Sequence, residues 1–299
     1  MGQKLPARRP ATHLRHDPGT VLAPGLFQSF KRGDRKKLKL DITYEFNKST
    51  TLRFVGFEPL GADDLRLLQG IVALAGLSKI AVPLENPRNE AEKQLTLLLE
   101  PKEDATKEHS AAVRTNLQRL MHEIGYKTDG GDKRHEVLES LKRLANVTTY
   151  ARHDGREKST NLLSYYIEDK TGNLLIMVNP RITKAIMGQQ AYTHIDMREV
   201  RALKLDTARL LHQRLCAVVD PGKARPLKIE TMMGYVWPLP AEGSALRMRR
   251  QAIRAAISEI NATDGWLITE RPGGDFLVSR RKVGYVTPPP GEEKQEALL

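Results

Sequence analysis

Residues 244–260 read SALRMRRQAIRAAISEI, and this stretch decides the fold. Leu246, Ile253, Ile257 and Ile260 recur at helical spacing, which predicts a helix over Ser244–Ile260 with one apolar face. Ser244 is placed to serve as its N-cap. Arg247, Arg249, Arg250 and Arg254 fall within eight residues on the rest of its surface. Upstream, Ile229–Val236 predicts a short helix and Pro238–Gly243 a turn. Before them, Arg198–Val219 predicts one or two helices, with Leu203, Leu205, Leu210, Leu211, Leu215 and Val218 as core, and Pro221–Pro226 breaks the chain. Downstream, Gly265–Arg271 and Asp275–Arg281 predict a hairpin across Pro272-Gly273-Gly274. Helix, short helix, basic helix and hairpin follow one another in a winged helix-turn-helix, which lays one helix in a groove of DNA.

The same order occurs earlier. A helix over Glu108–Ile124, a turn at Asp129-Gly130-Gly131-Asp132 and a helix over Lys133–Ala145 precede predicted strands at Val147–Arg152, Thr160–Ile167 and Asn173–Asn179. His153-Asp154-Gly155-Arg156 and Asp169-Lys170-Thr171-Gly172 are turn-forming links. Further upstream the pattern predicts strands Lys39–Phe46 and Thr51–Phe57, a helix over Asp64–Ala75, a loop at Pro83–Asn89 and a short strand at Leu95–Glu100. A short helix (Arg181–Met187) and a strand (Tyr192–Asp196) join the halves. The fold class expected is therefore α+β, with two tandem winged-helix domains behind a basic N-terminal arm. The boundaries are 1–30 for the arm, 31–190 and 191–287 for the domains, and 288–299 for a flexible tail.

The chain has 299 residues, a formal net charge of +12 and a pI of about 9.7. Such a balance fits a polyanion, nucleic acid before a membrane surface. Aromatic content of 5% argues against a stacking platform for single strands. No apolar run approaches the ~20 residues that span a bilayer. The basic first twenty residues (Lys4, Arg8, Arg9, Arg15) lack the apolar segment of a secretory signal. A single cysteine, Cys216, allows no internal disulfide and reads as core. A cytoplasmic location is expected.

On the basic helix, Arg247 and Gln251 are expected to read bases, because arginine grips guanine O6 and N7 together and glutamine grips adenine N6 and N7. Arg249, Arg250 and Arg254 are assigned to phosphates, and Arg280, Arg281 and Lys282 to phosphate or minor-groove contact from the wing. In the earlier unit Lys133, Arg134, His135, Lys142 and Arg143 share their helix with Glu136 and Glu139. Mixed signs mean either a salt-bridged surface or a reader of cytosine. Arg152 and Lys158 lie in or beside that unit's wing, with Arg156. The run from Lys31 to Lys39, including Lys36 and Lys37, is either a solvated surface or a phosphate-contacting segment.

Enzyme patterns are missing: no glycine-rich loop ends in Gly-Lys-Ser/Thr and no His-Glu-x-x-His occurs. The carboxylates Asp63-Asp64 and Asp196…Glu199 are explained as helix-start residues. Tyr165-Tyr166 lacks the histidine cluster that a nicking tyrosine needs. No catalytic residue, metal or cofactor is expected. A winged-helix transcription regulator remains the alternative to a replication role.

Longer motifs add a resemblance. His16-Asp17-Pro18, Leu22-Ala23-Pro24-Gly25-Leu26-Phe27 and Lys39-Leu40-Asp41-Ile42-Thr43-Tyr44 are followed by Glu58-Pro59-Leu60-Gly61-Ala62-Asp63-Asp64-Leu65-Arg66. Leu98, Glu100, Pro101 and Lys102 come next, then Glu199-Val200-Arg201-Ala202-Leu203 and Thr207-Ala208-Arg209-Leu210-Leu211-His212-Gln213-Arg214-Leu215-Cys216. Asp220-Pro221-Gly222-Lys223, Gly234-Tyr235-Val236-Trp237-Pro238 and the arginine helix complete a series from about residue 13 to residue 281. In these motifs the chain resembles the RepC replication initiators of IncQ-type broad-host-range plasmids. The resemblance implies binding to direct repeats (iterons) in double-stranded plasmid origin DNA and opening of an adjacent AT-rich region. It also implies loading of the plasmid-encoded helicase and primase, a monomer–dimer switch, a bacterial cytoplasm and no catalysis by the initiator.

Overall fold

The computed structural model describes residues 10–31, 33–127, 130–168 and 172–282. Its elements run β1 (His13–His16), α1 (Pro18–Leu22), β2 (Leu40–Asn47), β3 (Thr50–Gly56), α2 (Ala62–Ser78), β4 (Ile80–Pro83), α3 (Glu90–Leu99) and β5 (His109–Asn116). They continue with α4 (Leu117–Glu123), α5 (Gly131–Ala145), β6 (Thr148–His153), β7 (Arg156–Asn161), β8 (Leu163–Glu168), β9 (Asn173–Val178), α6 (Pro180–Ile186) and β10 (Thr193–Asp196). The last third holds α7 (Met197–Ala202), α8 (Asp206–Val218), β11 (Ala224–Lys228), α9 (Ile229–Val236), α10 (Gly243–Asn261), β12 (Trp266–Glu270) and β13 (Asp275–Arg280). Among the described residues the strands form antiparallel sheets in the orders β2-β3-β6-β7, β4-β5-β9-β8, β11-β13-β12 and β1-β10. The fold is mixed α+β.

The middle of the molecule is α2. Its sequence LRLLQGIVALAG is buried on nearly every side, Arg66 and Gln69 included, as in a helix enclosed by neighbours. It packs against β1, β5, α4, α5 and α8. Asp64 accepts from the Gly61 backbone N–H at 2.8 Å to close its N-terminus. Gly70 lets α4 approach, because a Cβ there would stand 2.3 Å from Ile124 Cγ2. One apolar cluster runs from Leu26 and Phe54 through Leu68 to Ile257 and Trp266, so both halves share a core. A smaller cluster of Val82, Leu84, Leu95, Leu99 and Met177 lies under α3.

Several expectations are corrected. The arm is docked from residue 10 onward: β1 pairs with β10, and Leu14, Val21, Leu26 and Phe27 are buried. Asp17 caps α1 and binds Arg181 at 3.0 Å, while the Ala11 N–H donates to Glu123. The expected tail, residues 1–9, Arg32, Asp129 and Asp169-Lys170-Thr171 lie outside the described residues. The expected strand Leu95–Glu100 is the end of α3, started by Asn89, whose side chain accepts from the Glu92 N–H. The expected helix Glu108–Ile124 is β5 followed by α4, divided at Asn116, which caps α4. Ser110, Ala111, Val113 and Thr115 are buried in β5. Thr160–Ile167 divides at Leu162 into β7 and β8, which belong to different sheets. The Pro221–Pro226 break holds the start of β11, where Pro226 sits on an edge strand that tolerates a missing N–H.

Candidate nucleic-acid interface

The last third is built in the order α8, β11, α9, α10, β12, β13, with β11 and β12 flanking β13. α10 presses Ile253, Ala256, Ile257 and Ile260 against α8 and α9. The same periodicity turns Ser244, Arg247, Met248, Gln251 and Arg254 outward, and all five are exposed. Ser244 is not the N-cap: the helix begins at Gly243, Glu242 occupies the cap position, and no side chain caps it. Ser244 is instead an exposed residue of the first turn.

The four arginines of α10 are not equivalent. Arg249 lies over the Trp237 ring at 5.2 Å and donates to the Leu239 carbonyl, so it fastens the preceding turn. Arg250 pairs with Glu230 on α9 at 2.9 Å, and Arg254 pairs with Glu270 on β12 at 2.7 Å. Both pairs are exposed, and such pairs are worth about 0–1 kcal/mol. Arg247 and Gln251 make no hydrogen bond or ion pair among the described residues, so their donors are directed to solvent.

The wing residues separate. Arg280 is buried, donates to the carbonyls of Cys216 (3.0 Å), Val219 (3.2 Å) and His194, and stacks over Trp266. It fixes β13 to α8 and β10 and is not available to DNA. Arg281 and Lys282 are exposed at the end of the hairpin.

In the first half, α5 points its apolar residues Val137, Leu141 and Leu144 inward. Lys133 binds Glu136 at 2.7 Å and Lys142 binds Glu139 at 2.8 Å, leaving Arg134 and His135 as exposed groups at its start. Arg143 is turned inward against Asp64 (2.9 Å) and Ser140 (2.8 Å), and Asp64 also meets Arg35 at 3.4 Å. Arg143 is thus a packing residue, not a DNA contact. Lys158 is half-buried and bound to Glu108, which Lys184 also holds. Lys158→Ala is expected to cost about 1 kcal/mol of stability and to leave DNA affinity unchanged, read by urea unfolding beside a gel shift. Arg152 is exposed on the outer face of β6, in a hollow of about 420 Å³ with Arg53, Tyr150 and Glu157. Lys36 and Lys37 are exposed on a single 3-10 turn, with Lys37 3.5 Å from Asp34.

A buried polar group at the root of the β12–β13 hairpin is not legible in the sequence. Glu199 on α7 accepts from His212 Nε2 (2.7 Å) and from Trp266 Nε1 (3.1 Å), and Cys216 Sγ lies 3.6 Å from the same histidine nitrogen. Burial opposes the His212 charge, but the Cys216 sulfur and the Glu199 carboxylate outweigh it and push its pKa up to about 10. Burial likewise opposes ionisation of Glu199, but the His212 hydrogen bond prevails and holds its pKa low. The three ligand atoms lie within 4.8 Å of one another. The His212 and Trp266 ring N–H groups both donate to Glu199, so the group acts as a hydrogen-bonded core. Only the i, i+4 spacing of His212 and Cys216 on an amphipathic helix hinted at the pair.

The architecture is mixed α+β, and it recurs in a solved protein. A structure of domain 2 and domain 3 of RctB superposes with a TM-score of 0.55 over 89% of this chain and 98% of that chain, at 10% identity. No curated protein sequence matches. The family model for Replication protein C (RepC) matches residues 8–282, and the chain belongs to that family. No helix among the described residues is long and apolar enough to cross a membrane.

Proposed function

We propose that this protein is a plasmid replication initiator of the IncQ type. It binds iterons at the plasmid origin, promotes opening of the neighbouring AT-rich region, and admits the plasmid's helicase and primase. It works in the bacterial cytoplasm, switches between monomer and dimer, and performs no catalysis itself. Two tandem winged-helix units carry the binding, one within residues 31–190 and one from 191 onward. The carrying observation is α10, which holds Arg247 and Gln251 outward, without a partner among the described residues, between a short helix and a hairpin. Membership of the RepC family supports the replication role, and the net charge of +12 supports a polyanion as partner.

The element order α8, β11, α9, α10, β12, β13 supports a winged helix in the second half. The first half supports it less directly. Its β6–β7 hairpin follows α4 and α5 but pairs with β3, while β5 pairs with β9. Tandem binding makes the second contact effectively intramolecular. Several copies on adjacent repeats bend the origin, and that strain favours melting of an AT-rich neighbour.

Gel shift with footprinting tests this, using the replicon's origin and a scrambled duplex at physiological salt. A ladder of complexes spaced by one repeat is expected. A single dimer complex on one palindrome would point to a transcription regulator, and equal binding to both duplexes would remove the initiator reading. Lys36→Ala with Lys37→Ala is expected to weaken both duplexes alike. It should also flatten the dependence of log K on log salt by about 0.9 for each phosphate that the variant no longer neutralises.

A further inference from the structure

On α10, exposure and helical phase separate two lanes. Arg247, Arg250 and Arg254 follow one another at i, i+3 and i+7 and form a basic ridge. Beside it runs a neutral lane of Ser244, Met248, Gln251 and Ala255, all exposed. Met248 is 70% exposed, and its position is fixed by the burial of Ile253, Ala256, Ile257 and Ile260 on the opposite side. Its neighbours in the lane are short or uncharged, so no long charged side chain covers it. A large apolar side chain held in water, framed by cations, fits a partner that is polyanionic at its edges and apolar between them. The major groove of DNA has that form. Its walls are phosphate, and the thymine 5-methyl group is the apolar element on its floor. A protein partner would require a wider apolar patch than one methionine flanked by alanines.

We propose that Met248 is a specificity-determining residue that reads a thymine 5-methyl group beside the base contacted by Arg247. This rests on the reading of α10 as the helix in the groove. Methionine is unbranched and adapts its rotamers, so it reaches a methyl at the groove floor while Ser244 and Ala255 leave room for the close approach. The arginine ridge then holds the phosphates on one flank, with Arg250 and Arg254 exchanging Glu230 and Glu270 for the backbone.

The test uses the full-length chain and a duplex that it selects from a randomised library. Each thymine of that duplex is then replaced in turn by deoxyuridine, which removes only the 5-methyl group. Wild type is expected to lose about fourfold in affinity at one thymine, the worth of a buried methyl. Met248→Ala should bind the thymine and deoxyuridine duplexes equally at that position, and Met248→Leu should restore the difference. Met248 is exposed, so these substitutions leave the fold intact. No methyl effect at any thymine in wild type, or one that persists in Met248→Ala, overturns the proposal. Failure to select any consensus would instead overturn the reading of α10 as a base reader.

Discussion

Arg247→Ala is expected to cut the ratio of cognate to scrambled affinity by roughly 5- to 150-fold, the effect of losing about 1–3 kcal/mol of base discrimination. The magnitude follows from the state of Arg247 in the free protein, where it makes no hydrogen bond or ion pair among the described residues. Arg249 is committed to Trp237 and the Leu239 carbonyl, so removing it loosens a turn. Arg250 and Arg254 each leave an acidic partner behind, Glu230 or Glu270, facing an anion. Their loss should weaken cognate and scrambled duplexes together. Among the described residues Arg247 has no bond to break before it binds, and Gln251 stands one turn further along the same face. Competition between labelled cognate and unlabelled scrambled duplex reads the ratio directly. An unchanged ratio in Arg247→Ala would remove the base-reading role of Arg247.

The parts of this fold that were legible are those where punctuation and period agree. α9 was located at Ile229–Val236 because Pro226 precedes it and Trp237-Pro238 ends it. α10 and the β12–β13 hairpin were legible for the same reason, with Pro272-Gly273-Gly274 between the strands. Reading failed where apolar spacing fits two periods. In residues 109–124, Val113, Leu117, Leu120 and Met121 suit one long helix, yet Ala111, Val113 and Thr115 alternate as a strand must. Asn116 marks the change by capping α4 at Arg119 N–H. The docking of the N-terminal segment is hidden by its basic residues from Lys4 to Arg15, whereas its buried apolar residues begin at Ala11. At the site, the outward direction of Arg247 and Gln251 follows from helix geometry. The internal commitment of Arg143, Lys158 and Arg280 depends on Asp64, Glu108 and the Cys216 carbonyl, which are far away in the chain.

Glu199→Ala is expected to destabilise the protein by about 3–5 kcal/mol, because it strands one member of a buried ion pair. His212 and Glu199 are 1% and 9% exposed, so water cannot replace the missing carboxylate, and the Trp266 indole N–H loses its acceptor as well. Urea unfolding reads the loss as a lower midpoint with an unchanged slope. A pH series isolates the pair. The His212 pKa is raised from its ordinary 6.5 to about 10, so its stabilisation is fully present below pH 6.5 and is lost as pH rises toward about 10. Glu199 is shifted downward from 4.5, so its contribution holds above that pH and is lost as the solution becomes more acidic. Wild-type stability from this pair therefore peaks between about pH 4.5 and 6.5, and Glu199→Ala should lessen the alkaline decline, with the part due to Cys216 remaining. The consequence for binding passes through the wing. Trp266 opens β12 and is tied to α7 through Glu199, while Arg280 closes β13 over the same ring and is tied to α8 through the Cys216 backbone carbonyl. A loosened root frees the hairpin from α10, so cognate affinity should fall even though Glu199 lies inside the protein. A variant with the wild-type midpoint and the wild-type alkaline decline would show that apolar packing alone holds the wing.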